Sequence, residues 1–341
     1  MEITLVTARL TAPLIIVHGG AGAYLKTTTD AQRLRRGERL AEVACLGLAA
    51  VESGGARAGV LAAVAAMEED PDFNAGYGSK LQRDGVPRVS AGLADGGSQR
   101  VTSVFNVEGC LHPSELADAL QTKGDRNLDG QGGARLMLEL GIAPTELRTQ
   151  KTTARWRSLL ESGELADPEA AIGDTGEPEL DAARAAGVPV PEDLRPDERY
   201  GTVGAVAVDA DGQVWACTST GGRGHEVVGR LTDSGMPAGN YAVPCCGVSA
   251  TGFGEQIIDL DVAGRICVRA LDGHPLPEAL RRTFEEVRAH GGLLGAIAAH
   301  TDGTVGYAHS TEACGVAWAD GSGAQHVDQH GRAPTDHPEE P

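Results

Sequence analysis

The stretch GTVGAVAVDADGQVWACTST, residues 201–220, contains the strongest strand signal in the chain. Two apolar runs, TVGAVAVD (202–209) and QVWACTST (213–220), stand on either side of the turn sequence DADG. Asp-Gly between runs of apolar and β-branched residues is typical of a tight β-hairpin. We therefore predict two adjacent antiparallel strands, with Thr202 at the start of the first one.

Outside this hairpin, strands and helices occur in groups. LIIVH (14–18) is an apolar run typical of a buried strand. It ends in HGGAG (18–22), whose glycines allow a tight backbone path. Strands gathered into hairpins, with helices clustered between them, indicate an α+β layered fold rather than alternating βαβ units. The other predicted strands are 86–94, 100–107, 247–251, 293–299 and 304–309. The predicted helices are 31–53, 56–69, 114–122, 133–140, 254–270 and 276–290.

The segment before the hairpin has a different character. From about 142 to 201 the chain is rich in Glu, Asp, Pro and Ala and lacks sustained apolar periodicity. PVPEDLRPDERY (189–200) is typical of an exposed linker, so we predict a flexible linker over about 142–201. A long segment without predicted secondary structure is unusual inside a compact domain and requires an explanation. The polar tail from about 325 is also predicted to be loose.

Charge and cysteine content limit the class of protein. The chain has 341 residues and a formal net charge of −19, which argues against nucleic acid or an anionic membrane as partner. Its seven cysteines form no CxxC pair, and Cys45, Cys217 and Cys267 lie in apolar runs that predict small core residues. No apolar run approaches 18 residues, and the N-terminus has no basic segment leading into a long apolar one. We therefore predict a soluble, cytoplasmic protein.

Thr202 has the chemistry of a nucleophile if the peptide bond before it is cut. A hydroxyl is a weak nucleophile until a base removes its proton. Cleavage between Gly201 and Thr202 would give Thr202 a free α-amino group, whose pKa is ordinarily about 7.7–8.0 and which could serve as that base. Gly201 tolerates the strained backbone that an internal attack on its carbonyl requires. The exposed linker would let the new end move away.

The tetrapeptide GTVG is weak evidence by itself. A second copy at 303–306 follows a hairpin turn and has no linker before it. A β-branched threonine at the start of a strand also needs no catalytic explanation. The surrounding residues therefore have to decide between a nucleophile and an ordinary strand residue.

Glycine-rich motifs occur in order along most of the chain. They are VHGGAG (17–22), FNAGYGS (73–79), GTVGAVAVD (201–209), TSTGG (218–222), GRLTDS (229–234), AGNYA (238–242) and SATGFGE (249–255). Their order and spacing resemble those of the plant-type asparaginase and isoaspartyl peptidase family of N-terminal-nucleophile hydrolases. The resemblance covers most of 13–320 and is weakest over 142–198. It implies a four-layer αββα sandwich in which 1–201 form an α-subunit and 202–341 a β-subunit.

The resemblance implies a role for individual residues. Thr202 would be the nucleophile, Thr220 would hydrogen-bond near it and help its activation, and Asn74 would support it from the other subunit. Arg230 would bind the substrate α-carboxylate, a task suited to its planar fork of donors, and Asp233 would bind the α-ammonium group. The alternative for these last two residues is a surface ion pair, worth only about 0–1 kcal/mol.

The resemblance also implies an oxyanion site and an assembly. Thr251 and the backbone of Gly252 would stabilise the oxyanion of the tetrahedral intermediate, with Gly254 completing the loop. The chemistry requires no metal or organic cofactor, although a structural sodium held by backbone carbonyls would fall around Glu68 to Tyr77. The implied assembly is a dimer of cleaved αβ heterodimers that takes a small-molecule or dipeptide substrate.

The implied reaction releases aspartate from L-asparagine or β-aspartyl dipeptides through a threonyl β-aspartyl ester. A glycosylasparaginase of the same fold and an uncleaved, non-catalytic relative remain alternatives. Four departures from the family pattern bear on substrate preference and on self-cleavage. They are Ser90 for an acidic residue, Tyr200 for a frequent histidine, Gly235 for the proline of DSP, and Ala313 for the glycine of TEG.

Three other kinds of site fit the sequence less well. Gly20 to Leu25 lacks the third glycine of a dinucleotide-binding loop, and GYGSK (76–80) has the wrong order for a Walker A loop. GVSATG (247–252) places its second glycine one residue late for a serine hydrolase. His326 and His330 lie in the polar tail with glycine and proline nearby, so we predict no metal site there.

Overall fold

The structure is a computed structural model that describes residues 2–22, 29–162 and 201–327. Within these ranges the chain forms two β-sheets and seven α-helices. The strands are β1 (Thr4–Arg9), β2 (Leu14–Gly22), β3 (Arg88–Asp95), β4 (Arg100–Glu108), β5 (Asn127–Leu128), β6 (Val203–Val208), β7 (Val214–Thr220), β8 (Asn240–Val243), β9 (Cys246–Gly252), β10 (Leu294–His300), β11 (Thr304–His309), β12 (Ala313–Asp320) and β13 (Gly323–Val327). The helices are α1 (Asp30–Glu68), α2 (Pro113–Ala119), α3 (Gly130–Leu140), α4 (Gln150–Ser162), α5 (Gly254–Leu260), α6 (Val262–Leu271) and α7 (Leu276–Ala289).

The two sheets lie face to face, and helices cover their outer faces. The larger sheet has the order β13-β12-β2-β6-β7-β3-β4-β5, and the smaller one has the order β1-β11-β10-β9-β8. Helix α1 packs on the larger sheet, while α6 and α7 pack on the smaller one. A third apolar core fills the space between the sheets. The predicted α+β fold, a four-layer αββα sandwich, is confirmed.

Alternation along the central strands explains why they appear as continuous apolar runs. In β2, Ile15 and Val17 face α1, whereas Leu14 and Ile16 face the other sheet. In β6, Val206 and Val208 also face the other sheet. Because successive strand residues point to opposite faces, a strand buried on both faces must be apolar at every position. This double burial confirms the predicted strand over LIIVH.

Helix α1 has a break where the sequence predicted two separate helices. Gly55 has φ +82° and ψ 176°, a conformation that glycine adopts readily and that no α-helix contains. The Ala56 N–H donates to Asp209 Oδ2 at 3.1 Å, which caps the second half of the helix. Among the described residues, α1 is also the one helix long and apolar enough to cross a membrane. It lies instead on the larger sheet, where its buried residues form part of a core cluster.

A second break was not predicted. The sequence indicated one helix over 254–270, but Asp261 adopts a left-handed conformation, φ 43° and ψ 53°, between α5 and α6. Aspartate tolerates this conformation better than most residues because its short polar side chain can hydrogen-bond locally. The periodic pattern continues across the break, so it did not reveal the change of direction.

Most of the predicted linker, 163–200, lies outside the described residues. The part before it forms α4, which begins inside the segment predicted as linker. Trp156 holds this helix in place, since its Nε1 donates to the Arg83 carbonyl at 3.2 Å and its ring packs on Gly85. Leu159 is also buried, and two apolar anchors in a 13-residue helix produce little periodicity, which explains why the sequence did not indicate a helix here.

The C-terminal end of the described chain is more ordered than predicted. Strand β12 was not predicted, and β13 extends to Val327, past the start of the predicted loose tail at 325. The chain from 328, with His330, lies outside the described residues, and the side chain of His326 is not described. Cys217 and Cys267 are buried as predicted, but the prediction for Cys45 was wrong because this residue is exposed.

Candidate active site

Thr202 lies immediately before β6, in the middle of the larger sheet. It is only 7% exposed, and its Oγ1 donates to Thr220 Oγ1 at 3.1 Å. The hairpin register brings the two hydroxyls together, because Val203 pairs with Ser219 and the flanking threonines are therefore neighbours. Thr220 Oγ1 also accepts from the Gly222 N–H at 3.1 Å. The proposed nucleophile is thus already hydrogen-bonded in the uncut chain.

Asn74 contacts the loop after β7 and the residue before Thr202. Its Nδ2 donates to the Gly222 carbonyl at 2.7 Å, and its own carbonyl accepts from the Gly221 N–H at 2.9 Å. Its Oδ1 accepts from the Lys80 N–H at 2.9 Å. A Cβ atom at Gly201 would lie 3.0 Å from the Asn74 Cβ, so a side chain at position 201 would displace Asn74. Asn74 therefore links the predicted cleavage site to the loop that follows Thr220.

Arg230 and Asp233 lie in the wall of the same pocket and do not form a surface ion pair. Arg230 makes a bidentate pair with Glu255, with Nε–Oε1 at 2.6 Å and Nη2–Oε2 at 2.9 Å, and its side chain is 10% exposed. Asp233 is buried, and its Oδ1 accepts from Thr232 Oγ1 at 3.1 Å. A Cβ atom at Gly254 would lie 2.7 Å from both Arg230 Nη2 and Asp233 Oδ1. Glycine at 254 therefore leaves space in front of both charged groups.

Burial controls the electrostatics of these groups. It raises the pKa of Asp233 to about 6, against the opposing effect of the Arg230 charge. Burial also opposes the charge of Arg230, but the Glu255 carboxylate outweighs it and raises the Arg230 pKa. Asp233 Oδ2 has no hydrogen-bond donor among the described residues. A buried acceptor without a donor costs about 1–3 kcal/mol, so this oxygen favours a ligand that brings a donor, such as an ammonium group.

The predicted oxyanion residues occupy two different positions. Gly252 has φ +130° and lies in the pocket wall, where a Cβ atom would be 2.5 Å from the Leu294 Cα. Thr251 is fully buried behind it, and its Oγ1 accepts from the Ala21 N–H at 3.2 Å. Gly252 therefore presents backbone to the pocket, while the Thr251 hydroxyl ties this loop to the HGGAG segment.

These residues line one narrow pocket with a cavity volume of about 10 Å³. It contains every residue predicted for the site except Asn74 and Thr251, which lie behind its wall. Its lining residues are Gly201, Thr202, Thr220, Gly222, Arg223, Arg230, Thr232, Asp233, Gly252 and Gly254. A larger, open hollow between α1, α2 and α3 carries no hydroxyl, amine or guanidinium in its lining, so it cannot supply this chemistry.

A chain of buried polar side chains lies behind Thr202, between the sheets. His18 Nε2 lies 2.8 Å from Ser249 Oγ, which is 2.6 Å from Thr218 Oγ1. Thr218 Oγ1 in turn donates to Asn240 Oδ1 at 3.0 Å. Burial lowers the pKa of His18 to about 3, although the Thr202 backbone opposes this shift. His18 is therefore neutral near pH 7 and a poor base for Thr202.

A buried carboxylate supports the hairpin from its other face. Glu68 is fully buried at the end of α1, and its Oε1 accepts from Ser219 Oγ at 2.6 Å. Its Oε2 accepts from Ser114 Oγ at 2.7 Å and lies 3.3 Å from His112 Nδ1. Ser219 precedes Thr220, so Glu68 holds the strand that presents the partner of the nucleophile. No local pattern pointed to Glu68, because its partners lie far from it in the sequence.

Sequence comparison with known proteins identifies the family of the chain. A model of the Asparaginase family matches residues 11–328. The chain belongs to this family. An isoaspartyl peptidase/L-asparaginase from Nostoc sp. is 38% identical over 315 residues, which cover 91% of the chain and 92% of that relative. A plant-type L-asparaginase from Pyrobaculum calidifontis is 34% identical over 89% of the chain and 96% of that relative. An isoaspartyl peptidase from Escherichia coli is 32% identical over 89% of the chain and 92% of that relative.

None of the three described departures from the asparaginase pattern lines the pocket, although Ser90 pairs with Thr220 across β3 and β7. Ser90 is buried in β3, and Ala313 is buried at the start of β12. At Gly235 a Cβ atom would lie 2.5 Å from the Phe105 ring, so this glycine makes room for an aromatic neighbour. Tyr200 lies outside the described residues. The three described departures therefore leave the charged groups of the pocket unchanged.

Proposed function

We propose that the chain is a self-cleaving amidohydrolase that releases aspartate from L-asparagine and β-aspartyl dipeptides. The observation that carries this proposal is the shared pocket of Thr202, Arg230 and Asp233, with Thr220 Oγ1 3.1 Å from the Thr202 hydroxyl. The relatives named isoaspartyl peptidase and L-asparaginase support it, because they align over most of their length.

The first step is cleavage of the chain before Thr202. Thr202 Oγ1 attacks the carbonyl carbon of Gly201, and the bond from that carbon to the Thr202 nitrogen breaks as the nitrogen takes up the hydroxyl proton. Water then hydrolyses the resulting ester, which leaves a carboxylate on Gly201 and restores the Thr202 hydroxyl. The product carries a free amine and a hydroxyl on one residue, so nucleophile and base lie together.

Turnover then uses the charged wall of the pocket. Arg230 binds the substrate α-carboxylate and Asp233 binds the α-ammonium group, which directs the side-chain amide toward Thr202 Oγ1. The Thr202 amine accepts the hydroxyl proton and passes it to the leaving nitrogen, as ammonia or an amino acid departs. The Gly252 backbone N–H stabilises the oxyanion. Water then releases aspartate from the β-aspartyl ester, and no metal or organic cofactor is required.

Denaturing gel electrophoresis tests the cleavage, and the second GTVG of the chain provides a matched control. We expect the wild type to give two fragments, with the smaller one beginning at Thr202. Thr202→Ala removes the hydroxyl and should abolish both cleavage and hydrolysis of β-aspartyl-leucine. Thr304→Ala makes the same change in the GTVG at 303–306 and should leave both intact. A wild type that stays full-length after prolonged incubation, or an active Thr202→Ala variant, would overturn the proposal.

Parallel assays separate the related activities. Hydrolysis of β-aspartyl-leucine and asparagine, with none of a glycosylated asparagine, is the expected result. A preference for the glycosylated substrate would identify a glycosylasparaginase instead. A chain that neither cleaves nor hydrolyses any of the three is the non-catalytic relative.

We propose a structural sodium site in the loop over 68–77. Backbone carbonyls lie close to this loop: those of Glu68 and Leu111 are next to Gly76, that of Phe73 is next to Gly78, and the Glu68 carbonyl accepts from the Tyr77 N–H at 2.7 Å. Hard cations favour such oxygen ligands. The site would order the loop that carries Asn74 and has no part in the chemistry. A higher thermal unfolding midpoint in sodium chloride than in choline chloride at equal ionic strength is the expected result, and equal midpoints would count against the site.

We also propose a cytoplasmic location and an assembly of two cleaved αβ heterodimers. All seven cysteines are free, which suits a reducing compartment. The net charge of −19 disfavours nucleic acid and anionic membrane surfaces as partners.

A further inference from the structure

The main chain at Arg230 lies on an exposed loop, and Asn106 ties it to the larger sheet. Val228 and Leu231, which flank Arg230, are 51% and 47% exposed, so packing alone does not fix this stretch. The Arg230 N–H donates to the Val227 carbonyl within the loop at 3.2 Å. The Arg230 carbonyl accepts from Asn106 Nδ2 at 2.9 Å, which joins the loop to strand β4. A side chain from far earlier in the sequence therefore holds the base of this arginine.

A β-bulge directs the Asn106 side chain. The pairing of β3 with β4 shifts between Val89 and Ala91, so that two residues of β4 oppose Ser90 alone. Asn106 is one of these two, and its φ of 54° is a left-handed conformation that asparagine tolerates better than most residues. Its N–H donates to Ser90 Oγ at 3.0 Å. Bulges next to active sites commonly change the direction of a side chain, which matches the contact made here.

A chain of hydrogen bonds fixes which atom of the Asn106 amide faces Arg230. Arg88 Nη1 donates to Gln82 Oε1 at 2.8 Å, and Gln82 Nε2 donates to Asn106 Oδ1 at 3.1 Å. A guanidinium can only donate and a backbone carbonyl can only accept, so both ends of this chain impose the same direction. Gln82 is buried, which limits competition from water for these groups. The Asn106 Nδ2 must therefore face the Arg230 carbonyl.

Arg230 is thus held at both ends. Glu255 binds its guanidinium through two hydrogen bonds, and Asn106 binds its main chain. Ser90, which accepts from the Asn106 N–H, also pairs with Thr220 on the other side of β3. The charged wall of the pocket and the hydrogen-bond partner of the nucleophile are therefore both attached to the same point of the larger sheet.

We propose that Asn106 is a positioning residue that sets Arg230 for the α-carboxylate of the substrate. It acts through the Arg230 main chain and contacts neither the substrate nor the reacting atoms. The proposal rests on the function proposed above, in which Arg230 binds that carboxylate, and adds a residue that no sequence motif indicated. Without the Asn106 donor the loop can move, and a displaced guanidinium weakens the binding of the carboxylate in particular.

Three small acids separate the α-carboxylate from the rest of the head group. L-Aspartate carries an α-carboxylate and an ammonium group, succinate lacks the ammonium group, and β-alanine lacks the α-carboxylate. Their inhibition constants are measured against hydrolysis of β-aspartyl-leucine by the processed enzyme. In Asn106→Gly and Asn106→Asp the constants for L-aspartate and succinate should rise by about fivefold or more, and that for β-alanine should stay within about twofold. KM for β-aspartyl-leucine should rise likewise, while kcat stays within about twofold.

The two variants separate the donor of Asn106 from its backbone conformation. Asn106→Gly keeps the left-handed conformation and removes the donor, whereas Asn106→Asp keeps the shape and replaces the donor with an acceptor. The matched control is Gln99→Gly. Gln99 has the same φ of 54° in the turn between β3 and β4, but its side chain accepts from the Tyr241 hydroxyl at 3.2 Å at the surface. Gln99→Gly should leave all three inhibition constants unchanged.

Gln82→Glu provides a second route that keeps Asn106 in place and serves if the Asn106 variants fail to fold. The new carboxylate still accepts from Arg88 but cannot donate to Asn106 Oδ1, so the amide loses its fixed direction. The constants for L-aspartate and succinate should rise by a smaller factor, again without a change for β-alanine.

Each failure has a separate signature. Unchanged constants in the folded, processed variants overturn this inference alone, and so does an equal increase for all three acids, which would indicate a general disturbance of the pocket. A wild type that does not cleave itself, or that L-aspartate does not inhibit, overturns the proposed function and this inference with it.

Discussion

At the scale of single residues, Thr202 and Thr304 show how much the surroundings of one tetrapeptide matter. Both follow a glycine, and Thr202 lies immediately before β6 while Thr304 is the first residue of β11. Thr202 is buried against Thr220 in a pocket with two arginines. The backbone of Thr304 donates to Asp302 Oδ1 at 2.8 Å in a surface turn. The reactivity of the hydroxyl therefore depends on the side chains that tertiary packing places around it, and not on the tetrapeptide GTVG itself.

Asp233 gives the binding of the head group a predicted pH dependence. Its pKa is raised from an ordinary 3.8 to about 6, mainly by burial. As the pH falls through about 6, Asp233 becomes neutral and loses its attraction for an ammonium group. Inhibition by the product L-aspartate should therefore weaken by about tenfold per pH unit below that value. Measurement of the inhibition constant between about pH 5 and pH 8 checks this, and a constant value would contradict it.

The same shift affects stability in the opposite direction. Because the folded-state pKa of Asp233 is raised, the folded chain binds the proton more tightly than the unfolded chain does. The stabilising contribution of this group is complete below 3.8 and is lost as the pH rises through about 6. As the pH rises through about 6, Asp233 therefore gains the charge that binds an ammonium group, while its contribution to folding stability is lost. This is expected where an active site keeps a buried charge.

At the scale of elements, the second half of α1 holds the β6–β7 hairpin at both ends. The Ala56 N–H, directly after the break at Gly55, donates to Asp209 in the hairpin turn at 3.1 Å. At the other end, Glu68 accepts from Ser219 at 2.6 Å. One helix thus fixes the turn of the hairpin and the end that carries the proposed nucleophile. The break at Gly55 supplies the free backbone N–H that makes the first of these contacts possible.

Replacing Glu68 tests this support. Glu68→Gln keeps the shape but removes the charge from a buried group that accepts from Ser219, Ser114 and His112, so it should lower the free energy of unfolding by about 2–4 kcal/mol. The control is Glu52→Gln, an exposed residue on the same helix, with an expected change within about 0.5 kcal/mol. Denaturant unfolding measures both. Equal stability of the two variants would contradict the role of Glu68.

The stability contributed by the Glu68–His112 pair changes with pH in a definite direction. The hydrogen bond to Glu68 raises the pKa of His112 above its ordinary value of 6.5. The stabilisation from protonated His112 is complete below 6.5 and is lost as the pH rises through the raised folded-state value. The difference in stability between wild type and Glu68→Gln should therefore decrease as the pH rises above neutrality.

At the scale of the whole molecule, the proposed cut would divide the larger sheet without separating its parts. Strand β6 lies between β2 and β7, and β7 pairs in turn with β3. Cleavage before Thr202 would assign β2 and β3 to one fragment and β6 and β7 to the other. The fragments would thus alternate within one sheet and share its hydrogen bonds and both adjoining cores.

This interleaving predicts that cleavage leaves the native molecule intact. Wild type and Thr202→Ala should elute at the same volume in size-exclusion chromatography, and light scattering should give twice the mass of one chain for both. Only denaturant should separate the fragments of the wild type. A cleaved sample that dissociates under native conditions would contradict the sheet order, and a mass of one chain would contradict the dimer.

Local sequence was sufficient for much of the fold. The hairpin at 202–220, the interruption between 53 and 56 and the apolar strand at 14–18 follow from turn chemistry, glycine and periodicity. These signals act over a few neighbouring residues, so they can be read without knowing where the rest of the chain lies. The resemblance of the ordered motifs to the asparaginase and isoaspartyl peptidase family, and not these local signals, placed Thr202, Arg230 and Asp233 in one predicted site.

Tertiary structure alone decided the features that depend on distant partners. Strand β12 pairs with β2 from the other end of the chain, and Glu68 meets Ser219 across the interface of α1 with the larger sheet. The pairing of Arg230 with Glu255 and the position of Arg223 in the pocket belong to the same class. Burial, hydrogen bonding and charge pairing become definite only when the chain is packed, because each depends on which groups displace water around a residue. The sequence by itself determined the nucleophile candidate and its hairpin, and only packing determined the electrostatic environment in which that candidate lies.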